Sequence, residues 1–355
     1  MQLEARDRPR EIAVEVTDAG QVLPLPTRGR SLTLPGWVRA IARNRKATGG
    51  AVILILFALL ALLAPVIAPG DPSDFVDRPH LPPSAAHWLG TTGQGQDVFA
   101  QTVWGSRPTL AVGVLVGLLT TAIGIAVGLS AGYLGGAADD LLSLVTNVFL
   151  IVPSLPLLVV LAAFLGSGNV LYFVLVLTVT GWAWPARVLR SQTLSLREKD
   201  FVAAATVSGE PGARIVLAEI LPNMLSIVVA SFLGSTVFAI GALAALEFLG
   251  LGNPSTISWG TSLYWAGNNA GLLTGAWWTF VPAGACIALV AFAFALVNYA
   301  IDEITNPRLR AQRATAALGK RLASRGDAVR ATPVLRDAAT SPLAEPGPLS
   351  HEAAR

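Results

Sequence analysis

Apolar and polar residues fall along this chain in long blocks rather than in short alternations. Six apolar blocks stand out, at 50–68, 110–133, 141–165, 170–184, 224–246 and 276–301. Each approaches the roughly 20 helical residues that cross a bilayer core about 30 Å thick. None contains Asp, Glu, Lys, Arg or His. Lipid offers the backbone no hydrogen-bond partners, so blocks of this kind are read as helices. The pattern predicts an all-α membrane protein with six transmembrane helices.

Details inside the blocks refine this. Gly113, Gly117, Gly124 and Gly128 put small residues at helical spacing in the second span, which lets neighbouring backbones approach closely. Pro153 and Pro156 are expected to kink the third span or delay its regular start. The first span begins about 50 residues into the chain, which suits an uncleaved anchor better than a signal peptide.

The cations set an orientation. Residues 1–49 hold nine Lys and Arg, 187–222 hold five and 302–355 hold nine, against two in 69–109, Arg78 and Arg107. The turn 132–140 and the loop 247–275 hold none. Six spans with both termini cytoplasmic bring the three rich segments to one side. The expected division is a disordered cytoplasmic tail at 1–38, a basic juxtamembrane segment and first helix at 39–69, and an extracytoplasmic loop at 70–109. A five-helix core follows at 110–310, carrying a cytoplasmic loop at 187–222, and then a disordered cytoplasmic tail at 311–355. Arg39, Arg43, Arg45 and Lys46 fit topology setting and contact with anionic membrane lipid.

Composition agrees. Charged residues make up 13% of the 355 and apolar ones 53%, whereas a soluble domain carries about 25% charge. The single cysteine, Cys286, excludes a disulfide framework. No P-loop is present, because Lys46, Lys199 and Lys320 are followed by Ala, Asp and Arg and not by the Ser or Thr that would reach Mg²⁺. His80, His87 and His351 lie outside the six blocks, and no metal-ligand spacing occurs. The acids Asp71, Asp74, Asp77 and Asp97 show no catalytic spacing. The blocks hold no ionisable relay of the kind ion-coupled transporters use. The chain reads as a passage without its own energy source, with no catalytic residue, metal or cofactor.

The segment 187–222 is where energy would arrive. Its propensity is helical from about Trp182 to Ser208, with Phe201, Ala204, Ala205 and Ser208 at spacings of three and four. A face this small can enter a groove on another protein. Gly209 suits a helix end, and Pro211, after Glu210, suits a new first turn. The expectation is a helix, a glycine turn and a second helix running into Pro222.

Here the motifs resemble a known family. Ala204-Ala205, Gly209 four residues on, and Leu221-Pro222-Asn223 resemble the "EAA" loop of binding-protein-dependent ABC importer permeases. His87-Trp88-Leu89-Gly90-Thr91 with Gly95, Asp97, Gly105 and Arg107 resembles the stretch before span two of the dipeptide/oligopeptide/nickel permeases. Gly132-Tyr133-Leu134-Gly135-Gly136, Arg187-x-x-Arg190-Ser191 and Glu247-Phe248-Leu249-Gly250-Leu251-Gly252 with Pro254 and Trp259-Gly260 are similar to further family segments. So is Asn306-Pro307-Arg308-Leu309-Arg310. Together they span about 40–310. The chain departs from the pattern at Ala203, the eponymous Glu position, and at Glu219, where Ile is usual and Ile220 stands beside it. Thr92, Gln96, Leu144 and Asn147 replace commonly charged residues.

The resemblance implies a type I ABC importer permease fold in the inner membrane of a prokaryote. It implies a paralogous permease, two cytoplasmic ATPases that bind ATP and Mg, and an extracytoplasmic solute-binding protein. The loop from Phe201 through Ala203 and Ser208 to Pro211 would dock on an ATPase as a coupling helix. The solute implied is most often a peptide, with nickel or another small solute as the alternative. The aromatic loop with Trp259, Tyr264, Trp265, Trp277 and Trp278 fits either a binding-protein contact or an interfacial aromatic belt. A secondary transporter would need an ionisable or unwound site within the spans. A pore-less structural subunit would need no exposed, glycine-ended loop.

Overall fold

Asp97 starts the longest helix. A computed structural model of the chain describes residues 14–16, 22–24, 44–165 and 170–305, and within it the Asp97 carboxylate accepts from the Phe99 N–H at 2.9 Å. From this cap α3 runs over Val98–Leu134, 37 residues. At 1.5 Å per residue that is roughly 55 Å, well beyond a bilayer core. The sequence expectation places 98–109 in a loop. The helix begins earlier because Val98 and Val103 are buried and Gly105 packs on Trp259, contacts that no local pattern displays.

The remaining elements follow the apolar blocks. Helix α1 is Arg45–Leu62, followed by the short α2, Ala64–Ile67. Helices α4 and α5 are Gly136–Ile151 and Ser154–Leu165. They bend by 85° at the break before Ser154, at the expected Pro153. Helices α6 and α7, Val170–Gly181 and Ala183–Arg197, form one candidate span of 28 residues. A small helix α8 covers Asp200–Val207. Next come α9, Gly212–Arg214, a π-helical turn, Ile215–Ile220, and α10, Leu221–Asn223. Helix α11 is Leu225–Phe248, α12 is Trp259–Asn268 and α13 is Val281–Thr305. Among the described residues, five helices are long and apolar enough to cross a membrane, or six if the bent pair counts as one span.

Helix α3 is the spine, packed along α7 and α11, while α13 packs on α1 and α11. Its glycines make this possible. A Cβ at Gly124 would stand 2.7 Å from Pro185 Cβ, and one at Gly128 would stand 2.6 Å from the Ala186 carbonyl. One at Gly113 or Gly117 would overlap Ile240 or Thr236. Lipid is as apolar as leucine, so close van der Waals approach of this kind, rather than water exclusion, holds the helices together.

One expectation is corrected. The helix from Trp182 to Ser208 is broken at Glu198–Lys199, between α7 and α8. Helix α11 runs past the charge-free block 224–246 and ends with a buried Glu247.

Residues 1–43 form a separate unit. Within it Val14–Val16 and Val22–Pro24 pair as antiparallel strands β1 and β2, with Val14 opposite Pro24. Composition does not anticipate this pairing. The remainder of the N-terminal tail, and all of the C-terminal tail and the Asn306–Arg310 motif, lie outside the described residues.

Candidate functional site

Two clusters gather the motif residues, at opposite ends of α3 and α11. The first is built around α8. Its C-terminus closes as a Schellman motif, with the Gly209 N–H donating to the Thr206 carbonyl at 3.0 Å and the Glu210 N–H to the Ala205 carbonyl at 3.1 Å. This closure needs a left-handed residue after the cap, and Gly209 has φ +79°. Pro211 caps the next stretch, and the Arg214 guanidinium donates to the Glu210 carboxylate at 2.8 Å across it.

The faces of α8 differ from the expected one. Phe201, Val202 and Ala205 turn inward, onto Leu129, Leu189, Ile215, Ile220 and Met224. Ala203, Ala204, Val207 and Ser208 face out, and Val207 is 89% exposed. Phe201 and Ala205 therefore hold the helix to its own subunit, and the free face is small and apolar. Leu221 packs under it while Pro222 is exposed.

The π-helical turn resolves a departure noted in the sequence. A π-turn takes one extra residue relative to α-helix. Ile220, one position late in the motif, is thereby fully buried, and Glu219 points to the exposed side.

The turn after α3 supports this cluster. Tyr133 lies against Gly212, where a Cβ would come within 2.9 Å of the ring. Gly135, with φ +69°, lies under the Arg197 guanidinium. Asp139 accepts from both Arg190 Nε and Nη2, at 2.5 and 2.7 Å. Sequence reasoning passes over Asp139. The signal for it is available, since an acid in a cation-free turn faces an arginine-rich loop on the same side.

The second cluster joins the stretch before α3 to the segment after α11. Thr91 is fully buried; its hydroxyl donates to the Arg78 carbonyl at 2.6 Å and accepts from the Leu81 N–H at 2.9 Å. Gly90 and Gly95 have positive φ and sit against the Leu81 and Asp77 carbonyls. His87 approaches Asp77 at 3.5 Å, Leu89 is half-buried, and the Arg107 guanidinium stacks 5.2 Å from the Trp104 ring. Thr92 and Gln96, which replace charged residues, hold the turn with neutral bonds. The Thr92 hydroxyl accepts from the Gln96 N–H at 3.1 Å, and Gln96 donates to the Ser73 carbonyl at 3.0 Å.

Trp259 ties the two segments together. It is fully buried, and its indole N–H donates to the Thr102 carbonyl at 2.9 Å. Trp259 is thus an internal anchor of the loop, while other aromatics of the segment stay accessible. The Ser258 hydroxyl donates to Glu247 at 2.6 Å, and Gly252 and Gly260 leave the space that the Glu247 side chain fills. The Gly250 backbone turns against the Tyr264 ring, and the Pro254 carbonyl accepts from Trp265 at 3.0 Å. Trp277 stays 53% exposed. Among the described residues no group of three His, Cys, Asp or Glu could hold a metal ion.

The sequence that builds these two clusters matches known proteins. Residues 124–311 match the family model described as binding-protein-dependent transport system inner membrane component. The chain belongs to this family. Residues 37–83 match the N-terminal TM domain of oligopeptide transport permease C. The chain is similar to the dipeptide transport system permease protein DppC of Bacillus subtilis (strain 168), at 33% identity over 79% of this chain and 87% of that protein. It is equally similar to the oligopeptide transport system permease protein OppC of Mycobacterium tuberculosis (strain ATCC 25618 / H37Rv), at 33% over 78% and 95%. The OppC of Bacillus subtilis (strain 168) is 32% identical over 79% and 92%. The chain is thus a multi-pass transport component and not an enzyme in its own right.

Proposed function

We propose that this chain is one permease subunit of an ATP-driven importer of di- or oligopeptides, forming half of the passage across the cytoplasmic membrane of a prokaryote. The observation that carries this reading is α8, a short helix anchored inward by Phe201, Val202 and Ala205, with Ala203, Ala204, Val207 and Ser208 left on a small apolar face. The printed names of the relatives support peptides as the solute. Six spans, with the bent α4–α5 pair as the third, put both termini and the loop 187–222 on the cytoplasmic side, following the cation distribution. The tails 1–38 and 311–355 then flank the membrane part in the cytoplasm.

A paralogous permease completes the passage, two ATPase subunits bind ATP and Mg, and an external binding protein delivers the peptide. Closure of the ATPases moves α8 together with the π-turn beneath it. The Asp139–Arg190 pair and the close α3–α7 packing pass that movement to the spine. Such a shift requires the ATPases to contact the two states of the passage differently. The test is reconstitution of the complete system. Ala204→Asp with Val207→Asp alters only exposed positions, so folding is retained while ATPase co-purification and ATP-driven peptide uptake are lost. Normal uptake and co-purification in this variant would overturn the assignment.

A further inference from the structure

A groove of about 910 Å³ runs between α1 and α3, floored by Phe294 of α13. On α3 its wall is Arg107, Ala111, Val114, Leu115 and Leu118, a run of spacings that shares one helix face. On α1 the wall runs from Leu54 to Leu62. Its inner end lies one turn beyond Gly50, where α1 closes onto α13 and a Cβ would stand 2.7 Å from the Ala293 carbonyl. Every lining residue except Arg107 is apolar.

Depth and length restrict what fits. The Trp104 indole N–H donates to the Ala68 carbonyl at 2.9 Å, and Ala68 ends the first apolar block. Trp104 is thereby held at the membrane surface, where tryptophan is enriched. Arg107 stands one turn further along α3, at the mouth of the groove. From Arg107 to Leu118 the helix rises about 16 Å at 1.5 Å per residue. That is half of a bilayer core roughly 30 Å thick, the depth of one leaflet. A helix from a partner subunit would need a seam across the whole core.

Charge complementarity names the other end of the occupant. The Arg107 guanidinium lies 5.2 Å from the Trp104 ring centroid, and among the described residues it enters no ion pair. Its planar fork matches a phosphate bidentately. No acid lines the groove to meet a choline or ethanolamine cation, so a lipid of net negative charge fits best.

We propose that this groove binds one anionic phospholipid, with its phosphate on Arg107 and one acyl chain lying along α3 to Leu118. The site does not depend on which solute the permease carries.

The assembled transporter, exposed in detergent to equal amounts of phosphatidylglycerol and phosphatidylcholine, tests this by native mass spectrometry. One phosphatidylglycerol is expected to stay bound. Arg107→Gln is expected to weaken its retention about tenfold and to remove the preference over phosphatidylcholine. Arg107→Lys keeps the charge but not the fork, and is expected to fall between the two. Ala111→Trp fills the groove from an exposed position and is expected to displace the lipid with Arg107 intact. Ala288→Trp, also exposed and outside the groove, is expected to leave the lipid bound. No bound lipid, equal retention of the two lipids, or unchanged phosphatidylglycerol binding in Arg107→Gln or Ala111→Trp would overturn the inference. So would loss of the paralogous permease from the Ala111→Trp complex, which would assign the groove to a subunit contact. None of these results bears on the coupling role of α8, so the permease reading is tested separately.

Discussion

The Arg190 guanidinium holds both carboxylate oxygens of Asp139, at 2.5 and 2.7 Å, across 51 residues of sequence. It is the one long-range ion pair between acid and arginine among the described residues. It joins the first turn of α4 to α7, the helix that leads into α8. The side chains are 34% and 15% exposed, so the pair is neither a free surface bridge nor a fully buried one. Its coupling, measured by a double-mutant cycle of Asp139→Asn and Arg190→Gln on thermal unfolding, is expected to be about 1 kcal/mol, nearer surface pairs than the roughly 3–5 of a broken buried pair. The larger effect is expected in transport. Each single variant should raise the ATP consumed per peptide imported, and 1 M salt should mimic this only weakly because the pair is partly shielded.

Gly209 tests the cap of α8 separately from its face. A Cβ there meets nothing within 4 Å, so a substitution meets only backbone strain, at φ +79°. That strain is about 1–2 kcal/mol for an ordinary residue and smaller for Asn. ATPase binding, measured by co-purification, is expected to fall in the order Gly, Asn, Ala, Val. Equal binding by Ala and Asn variants would mean that the left-handed cap does not position α8.

Much of this molecule is legible in its sequence, for physical reasons. Apolar blocks survive as helices because lipid permits little else, and Pro153 bends the chain where its missing N–H requires it. The glycines of α3 foretell close packing, though not which helices fill them. The start of α3 at Val98 is not legible, because it depends on Trp259 packing on Gly105 from more than 150 residues away. The inward face of α8 is hidden for a related reason. Spacing shows which residues share a face, but which side is buried depends on the π-turn beneath, and that turn has no simple sequence signature. The role of Trp259 is equally hidden, because an indole among other aromatics reads as interfacial until its N–H is seen to reach Thr102.

The π-turn makes a paired prediction. Ile220 is fully buried among Val202, Ile215 and Met224, while the neighbouring Glu219 is exposed. Ile220→Ala is expected to cost about 2–5 kcal/mol, as for truncation of a buried aliphatic. Glu219→Ala is expected to stay within about 0.5 kcal/mol. Thermal unfolding of the solubilised protein separates them. If Glu219→Ala were the more damaging, the register drawn for residues 215–220 would be wrong by one position.

At the opposite end, Glu247 and Trp259 predict a graded series. Glu247→Gln keeps an oxygen to accept from the Ser258 hydroxyl and fills the same space beside Gly260, so near-normal stability is expected. Glu247→Leu leaves the buried Ser258 hydroxyl without that acceptor, at about 1–3 kcal/mol. Trp259→Phe removes the bond to the Thr102 carbonyl and part of the buried ring system beside Gly105, at about 1–3 kcal/mol. Trp259→Ala also empties the space against Gly105 and Phe57, at about 3–5 kcal/mol. Thermal unfolding should therefore place Glu247→Gln as the most stable variant and Trp259→Ala as the least, with Glu247→Leu and Trp259→Phe between them. Hydrogen exchange should show the loss concentrated at residues 98–109, the part of α3 that Trp259 holds. A Trp259→Ala protein that melted with the unaltered one, with 98–109 still protected, would mean that the first turns of α3 stand without the indole.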